Sequence, residues 1–112
     1  MIAHLVLYEL RPDISEEDRT QFLDALDKAV TTIPTVRDVR FGRRQSIGAG
    51  YEALATPSFS FFALFEFADV AGLQAYLAHA SHVALAQLFW SCCLRTLVFD
   101  YELAGMEALK TW

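Results

Sequence analysis

Two stretches of this chain are apolar on both faces of an extended strand, and they restrict its folds more than any other feature. Ile2 to Leu10 is apolar nearly throughout, with His4 and Tyr8 on one side and Glu9 on the other. Phe59 to Phe67 places Phe59, Phe61, Phe65 and Phe67 on one face, and Phe62 and Leu64 on the opposite one. The first reads as a central strand buried on both sides, and the second is a strand as well. The remaining segments must therefore supply two covers, and they contain enough helix for one.

The first helical stretch follows Pro12-Asp13. Ser15 is its N-cap, Asp18 stands three residues on, and Glu16 and Glu17 lie near the positive helix end. Phe22, Leu26, Ala29, Val30 and Ile33 recur at helical spacing, so one stripe faces a core, and Pro34 ends the run. A more polar strand is expected over Val36 to Ser46, carrying Arg37, Arg40, Arg43 and Arg44. Charges alternating along a strand block unwanted edge pairing, and they also suit steering of an anionic ligand. The segment 47–57, broken by Gly48, Gly50 and Pro57, reads as a lid or a mobile connection. Asp69 is the next expected N-cap, opening one helix through Leu73, Tyr76, Leu77, Leu85, Leu88 and Phe89. Leu94 to Leu103 is the last strand, and residues 104–112 form a tail.

The order β-α-β-β-α-β predicts a single α+β domain of ferredoxin-like type: a four-stranded antiparallel sheet with two helices on one face. Leu5, Leu7, Phe62 and Leu64 then lie on the other face with nothing in the chain to cover them. A second copy of the same sheet does so, which predicts a homodimer. The composition agrees, since 54% apolar residues in 112 is more than so small a domain hides alone.

A formal charge of −5 argues against nucleic acid, whose binding needs a basic footprint, and against anionic membrane surfaces. No signal-peptide pattern or membrane-length apolar run is visible, so a cytoplasmic location is expected. Cys92 and Cys93 are adjacent, a spacing unsuited to zinc or redox work, and read as buried free thiols.

Potential chemistry gathers in Tyr76-Leu-Ala-His79-Ala-Ser-His82, where a phenol and two imidazoles interrupt a run of Ala and Leu. His79 and His82 stand at i, i+3, close enough to share a metal, yet no third ligand lies at helical spacing. No metal and no cofactor is expected, and His79 is expected to face water. His4 alone on a strand face reads as an ordinary core histidine.

His4-Leu5-Val6, Ile33-Pro34-x-Val36, Phe41-Gly42-Arg43, Tyr76-x-x-His79-x-x-His82 and Phe99-Asp100-Tyr101 occur in order over residues 1–103. With these motifs the chain resembles the stress-responsive A/B barrel domain, a family of dimeric α+β barrels. The resemblance implies a homodimer whose sheets meet as a barrel with the helices outside. Most members have no assigned reaction; some are plant stress proteins, one type assembling into stable rings, and one is a plant polyketide cyclase. The likeness to that cyclase implies His82 as the catalytic base, Tyr76 as a ligand-binding phenol, Asp100 as the residue holding His82, and His4 in the pocket. Val6, Phe22, Phe61, Phe89 and Val98 would form the apolar wall around a small apolar or ketone-bearing ligand. Two departures stand out: Ala80 replaces the usual proline after the first histidine, and Phe61 replaces a cyclase histidine.

A histidine with a fixed tautomer removes a proton alpha to a carbonyl, and a phenol donates to the oxygen that gains charge. The same His–Asp pair would also serve to tie helix to strand. The expected function is therefore small-molecule binding with cofactor-free acid–base chemistry of aldol or cyclase type. The alternatives are a non-catalytic stress or assembly protein, and cofactor-free oxygen chemistry on an electron-rich phenol. A cavity enclosing His4, Tyr76 and His82 favours the first; one filled by Phe61 and Phe89 favours the second.

Overall fold

The computed structural model describes residues 1–112. Strands β1 (Ile2–Leu10), β2 (Asp38–Arg43), β3 (Phe61–Phe67) and β4 (Cys93–Glu102) form one sheet in the order β2-β3-β1-β4. Every neighbouring pair is antiparallel. The two strands that are apolar on both faces, β1 and β3, occupy the centre, as their composition requires. β2 and β4 are the edges.

Helix α1 (Glu16–Thr32) starts where the Ser15 hydroxyl accepts from the Asp18 amide at 3.0 Å. It buries Phe22 and Ala29 and stops at Ile33, before Pro34. The expected single second helix is two: α2 (Val70–Ala78), capped by Asp69 through the Gly72 amide, and α3 (Ala80–Cys92). The break falls at His79, whose extended backbone (φ −67°, ψ 140°) ends one helix and caps the next. Its Nδ1 accepts from the Ser81 amide at 3.0 Å. A half-buried His79 thus works as an N-cap rather than facing water. Uniform Ala/Leu composition on both sides of the break hid it, because the signal is a capping hydrogen bond and not a change of residue type.

All three helices pack on one sheet face, where Val6, Tyr8, Phe65 and Phe67 meet Phe22, Ala29, Ile33, Leu73, Tyr76 and Leu85 in one core. β2 is shorter than expected: after a last backbone bond from the Arg44 amide to the Ser60 carbonyl at 2.8 Å, the chain leaves the sheet for the segment 47–57. That segment carries a single-turn 3₁₀ helix, Gly50–Leu54, clasped by Glu52, whose carboxylate accepts from the Ile47 and Ala49 amides. A carboxylate gripping the loop's own backbone gives it a defined turn.

The opposite sheet face is bare. Leu5 lies between Leu64 and Phe99, and Leu7 between Phe62 and Leu97, all side by side on that surface. Leu97 and Phe99 are each 42% exposed. The tail does not cover them, and its own Met106, Leu109 and Trp112 are exposed. No helix of the chain is long and apolar enough to cross a membrane.

Candidate functional site

Between the sheet and its helices lies a cavity of about 180 Å³. Thirteen of its fifteen lining residues are hydrophobic, so His4, His82 and the phenols of Tyr8 and Tyr76 carry its polarity. Cavities with apolar walls and a few convergent polar groups are the usual form of small-molecule sites.

Each polar group arrives by a different route. Strand alternation sends His4, Val6 and Tyr8 to the helical face of β1. Tyr76 comes from the last turn of α2 and is 2% exposed. His82 comes from the first turn of α3, immediately after the break. The break therefore does spatial work: it turns the chain so that Tyr76 and His82 sit with ring centroids 4.6 Å apart. His4 stands edge-on to Tyr76 at 5.9 Å.

Asp100 does not hold His82. Its carboxylate lies 2.6 Å from Nδ1 of His4, because residues 4 and 100 are direct cross-strand partners between β1 and β4. His82 takes another orienter: its Nδ1 is 3.0 Å from the carbonyl of Leu77, a group left free by the end of α2. A carbonyl only accepts, so Nδ1 carries the proton and Nε2 is the unprotonated nitrogen of the neutral ring. Burial holds the His82 pKa below the usual value of 6.5, outweighing the opposing effect of the Leu77 bond, and nearby His4 adds to the depression. Burial drives the Tyr76 phenol the other way, far above its ordinary 10, so it remains a hydrogen-bond donor. One end of the cavity thus pairs a neutral imidazole with a permanently protonated phenol.

Of the expected wall, Val6, Phe22, Phe89 and Val98 line the cavity. Phe61 does not; its ring stacks on Tyr8 at 5.5 Å and backs the wall from behind. Tyr8 fills the place expected of Phe61, against Phe89 at 5.6 Å. The i, i+2, i+4 spacing of His4, Val6 and Tyr8 was the available sign of it. Leu77 and Trp90 also line the cavity, and the indole is 61% exposed, which puts it at the mouth. Helical spacing alone does not single out either residue. No group of three or more His, Cys, Asp or Glu side chains stands ready to hold a metal. Cys92 and Cys93 are free and buried outside the cavity, and burial pushes the Cys93 thiol up to about 11. Such a thiol is a poor nucleophile.

Comparison with known proteins gives the lineage. The family model of the Stress responsive A/B Barrel Domain matches residues 2–103. Among curated proteins, olivetolic acid cyclase of Cannabis sativa is 24% identical over 103 residues, covering 89% of this chain and 94% of that protein. Among solved structures, the hydroxynitrile lyase of Passiflora edulis superposes with a TM-score of 0.74 at 15% identity, over 94% of each chain. A dimeric ferredoxin-like protein of Thermobifida fusca does so with a TM-score of 0.68 at 22% identity, over 91% of this chain and 90% of that one. The match spans all four strands and all three helices, and the chain is a member of the stress-responsive A/B barrel domain family.

Proposed function

We propose that this protein binds a small, largely apolar carbonyl compound and moves a proton at the carbon beside the carbonyl. One observation carries the reading: a neutral imidazole with a backbone-fixed tautomer and a buried phenol stand together at one end of an otherwise apolar cavity. His82 is the base, its Nε2 accepting the proton while Nδ1–H stays on Leu77. Tyr76 donates to the carbonyl oxygen as it becomes an enolate, in surroundings where excluded water makes that bond strong. His4, oriented by Asp100, presents its second ring nitrogen beside Tyr76 as a further donor or acceptor. Val6, Phe22, Phe89 and Val98 hold the apolar part of the ligand. If the enolate meets a second carbonyl of the same molecule, a carbon–carbon bond closes a ring and His82 returns the proton. The sequence likeness to a protein named a cyclase supports that extension.

The same reading makes the working unit a homodimer, with the bare faces of two sheets closed on each other. The apolar row of Leu5, Leu7, Phe62, Leu64, Leu97 and Phe99 supports it, as does a structural relative described as dimeric.

The test is hydrogen–deuterium exchange at the alpha carbons of short alkyl methyl ketones in D₂O, followed by NMR. The protein is expected to accelerate exchange, and His82→Ala to return it to the buffer rate. Exchange in the wild-type protein no faster than in buffer, across ketones that fit about 180 Å³, would remove the proposal.

A further inference from the structure

We infer that a second hollow, at the end of the sheet where β2 and β3 meet, is a binding site for an oxyanion, a carboxylate or a phosphate group. It is lined by Arg43, Arg44, Ser46, Ser58, Ser60 and Phe61. This site is independent of the proton chemistry proposed above, and the stacked Phe61–Tyr8 pair separates it from the apolar cavity.

The walls are organised before any ligand arrives. Arg44 donates from Nη1 to the Ser58 hydroxyl at 2.7 Å, and Arg95 donates from Nε to the Ser58 carbonyl at 2.7 Å. The Ser60 hydroxyl donates to Glu9 at 2.8 Å. The Ser60 amide donates to the same carboxylate. Neither Arg43 nor Arg44 is in an ion pair; the two arginine or lysine pairs of the chain are Arg40–Asp38 and Lys110–Glu107. Arg43 and Ser46 contribute no side-chain hydrogen bond to the hollow's framework. The chain as a whole is acidic at −5, yet Arg43 and Arg44 both line this hollow, and Arg95 reaches the backbone of its Ser58. Blocking the edge of β2 needs charge spread along the strand, and Arg40 with Asp38 already supplies it. A concentration of guanidinium forks beside hydroxyls instead matches the geometry of a planar or tetrahedral oxyanion.

Titration of the isotope-labelled full chain with inorganic phosphate, and separately with acetate, at constant ionic strength tests this. Saturable amide shifts are expected within residues 43–46 and 58–61, and a response to one anion alone identifies the headgroup class. Arg43→Glu should weaken binding at least about tenfold, the loss of one charge-assisted pair. Arg37→Glu changes net charge equally but lies outside the hollow, and should leave affinity within about twofold, as screening at ordinary ionic strength implies. Shifts that fail to saturate with either anion, or equal weakening by both variants, would overturn the site.

Discussion

His4 and His82 are oriented by partners of different kinds, and the difference sets what each can do. His82 leans on a neutral carbonyl and is disfavoured as a cation by burial. A histidine whose folded pKa is depressed binds fewer protons than in the unfolded chain at mildly acidic pH. Its contribution to stability is complete above the unfolded value of about 6.5 and is lost as pH falls through the lower folded pKa. Urea unfolding at stepped pH should therefore show stability declining below about 6.5, with the His82 part of that slope absent in His82→Ala. For the same reason the acid limb of any ketone-exchange rate should lie below 6.5. His82→Ala should remove exchange while moving the melting temperature by less than about 5 °C, since the side chain is only half-buried. Asp100→Asn keeps the shape but loses the charge-assisted bond to His4. With the carboxylate side chain 47% exposed, the cost should be about 1 kcal/mol, read from a denaturant midpoint.

At the scale of elements, the turn at His79 is the feature on which the site depends. A continuous helix would carry Tyr76 and His82 to positions six residues apart, more than one and a half turns along the axis. The break leaves the Leu77 carbonyl unpaired within α2 and directs His82 onto it. Proline is favoured at the first position of a helix, and the extended backbone of His79 is what a residue before proline adopts. Ala80→Pro should therefore stabilise the protein by about 0.4–1 kcal/mol in a thermal melt, leaving the site intact. Loss of stability would mean the turn is not built as described. Gly42 plays a comparable role on β2: a Cβ there would fall 1.9 Å from the Phe62 ring. Gly42→Ala must displace the far end of that ring, which the bare face leaves room to move, so the cost should stay below about 1 kcal/mol.

For the whole molecule the decisive quantity is the uncovered apolar face. A row of leucines and phenylalanines of this extent on a monomer marks an association surface. Phe99→Lys places a charge on the edge strand of that face, beside Leu5. Light scattering after size exclusion should then find the variant as a monomer where the parent is a dimer. A monomeric parent would remove the face-to-face arrangement.

Periodicity and capping residues made most of the architecture legible. The run Ile2–Leu10 declares a buried central strand, Ser15 and Asp69 announce helix starts, and Pro34 a helix end, because each effect acts within a few residues. Local reading also isolated Tyr76, His82 and His4, since polar groups in an apolar run are conspicuous at any distance. The partner of each histidine was settled only in three dimensions. Asp100 faces His4 through the register of β1 against β4, a pairing across 96 residues, and His82 found the Leu77 carbonyl through a helix break with no proline to mark it. The exchange of Phe61 for Tyr8 in the cavity wall has the same origin. Which of two neighbouring rings faces an empty space depends on what the helices press against them, and that is a property of packing rather than of sequence.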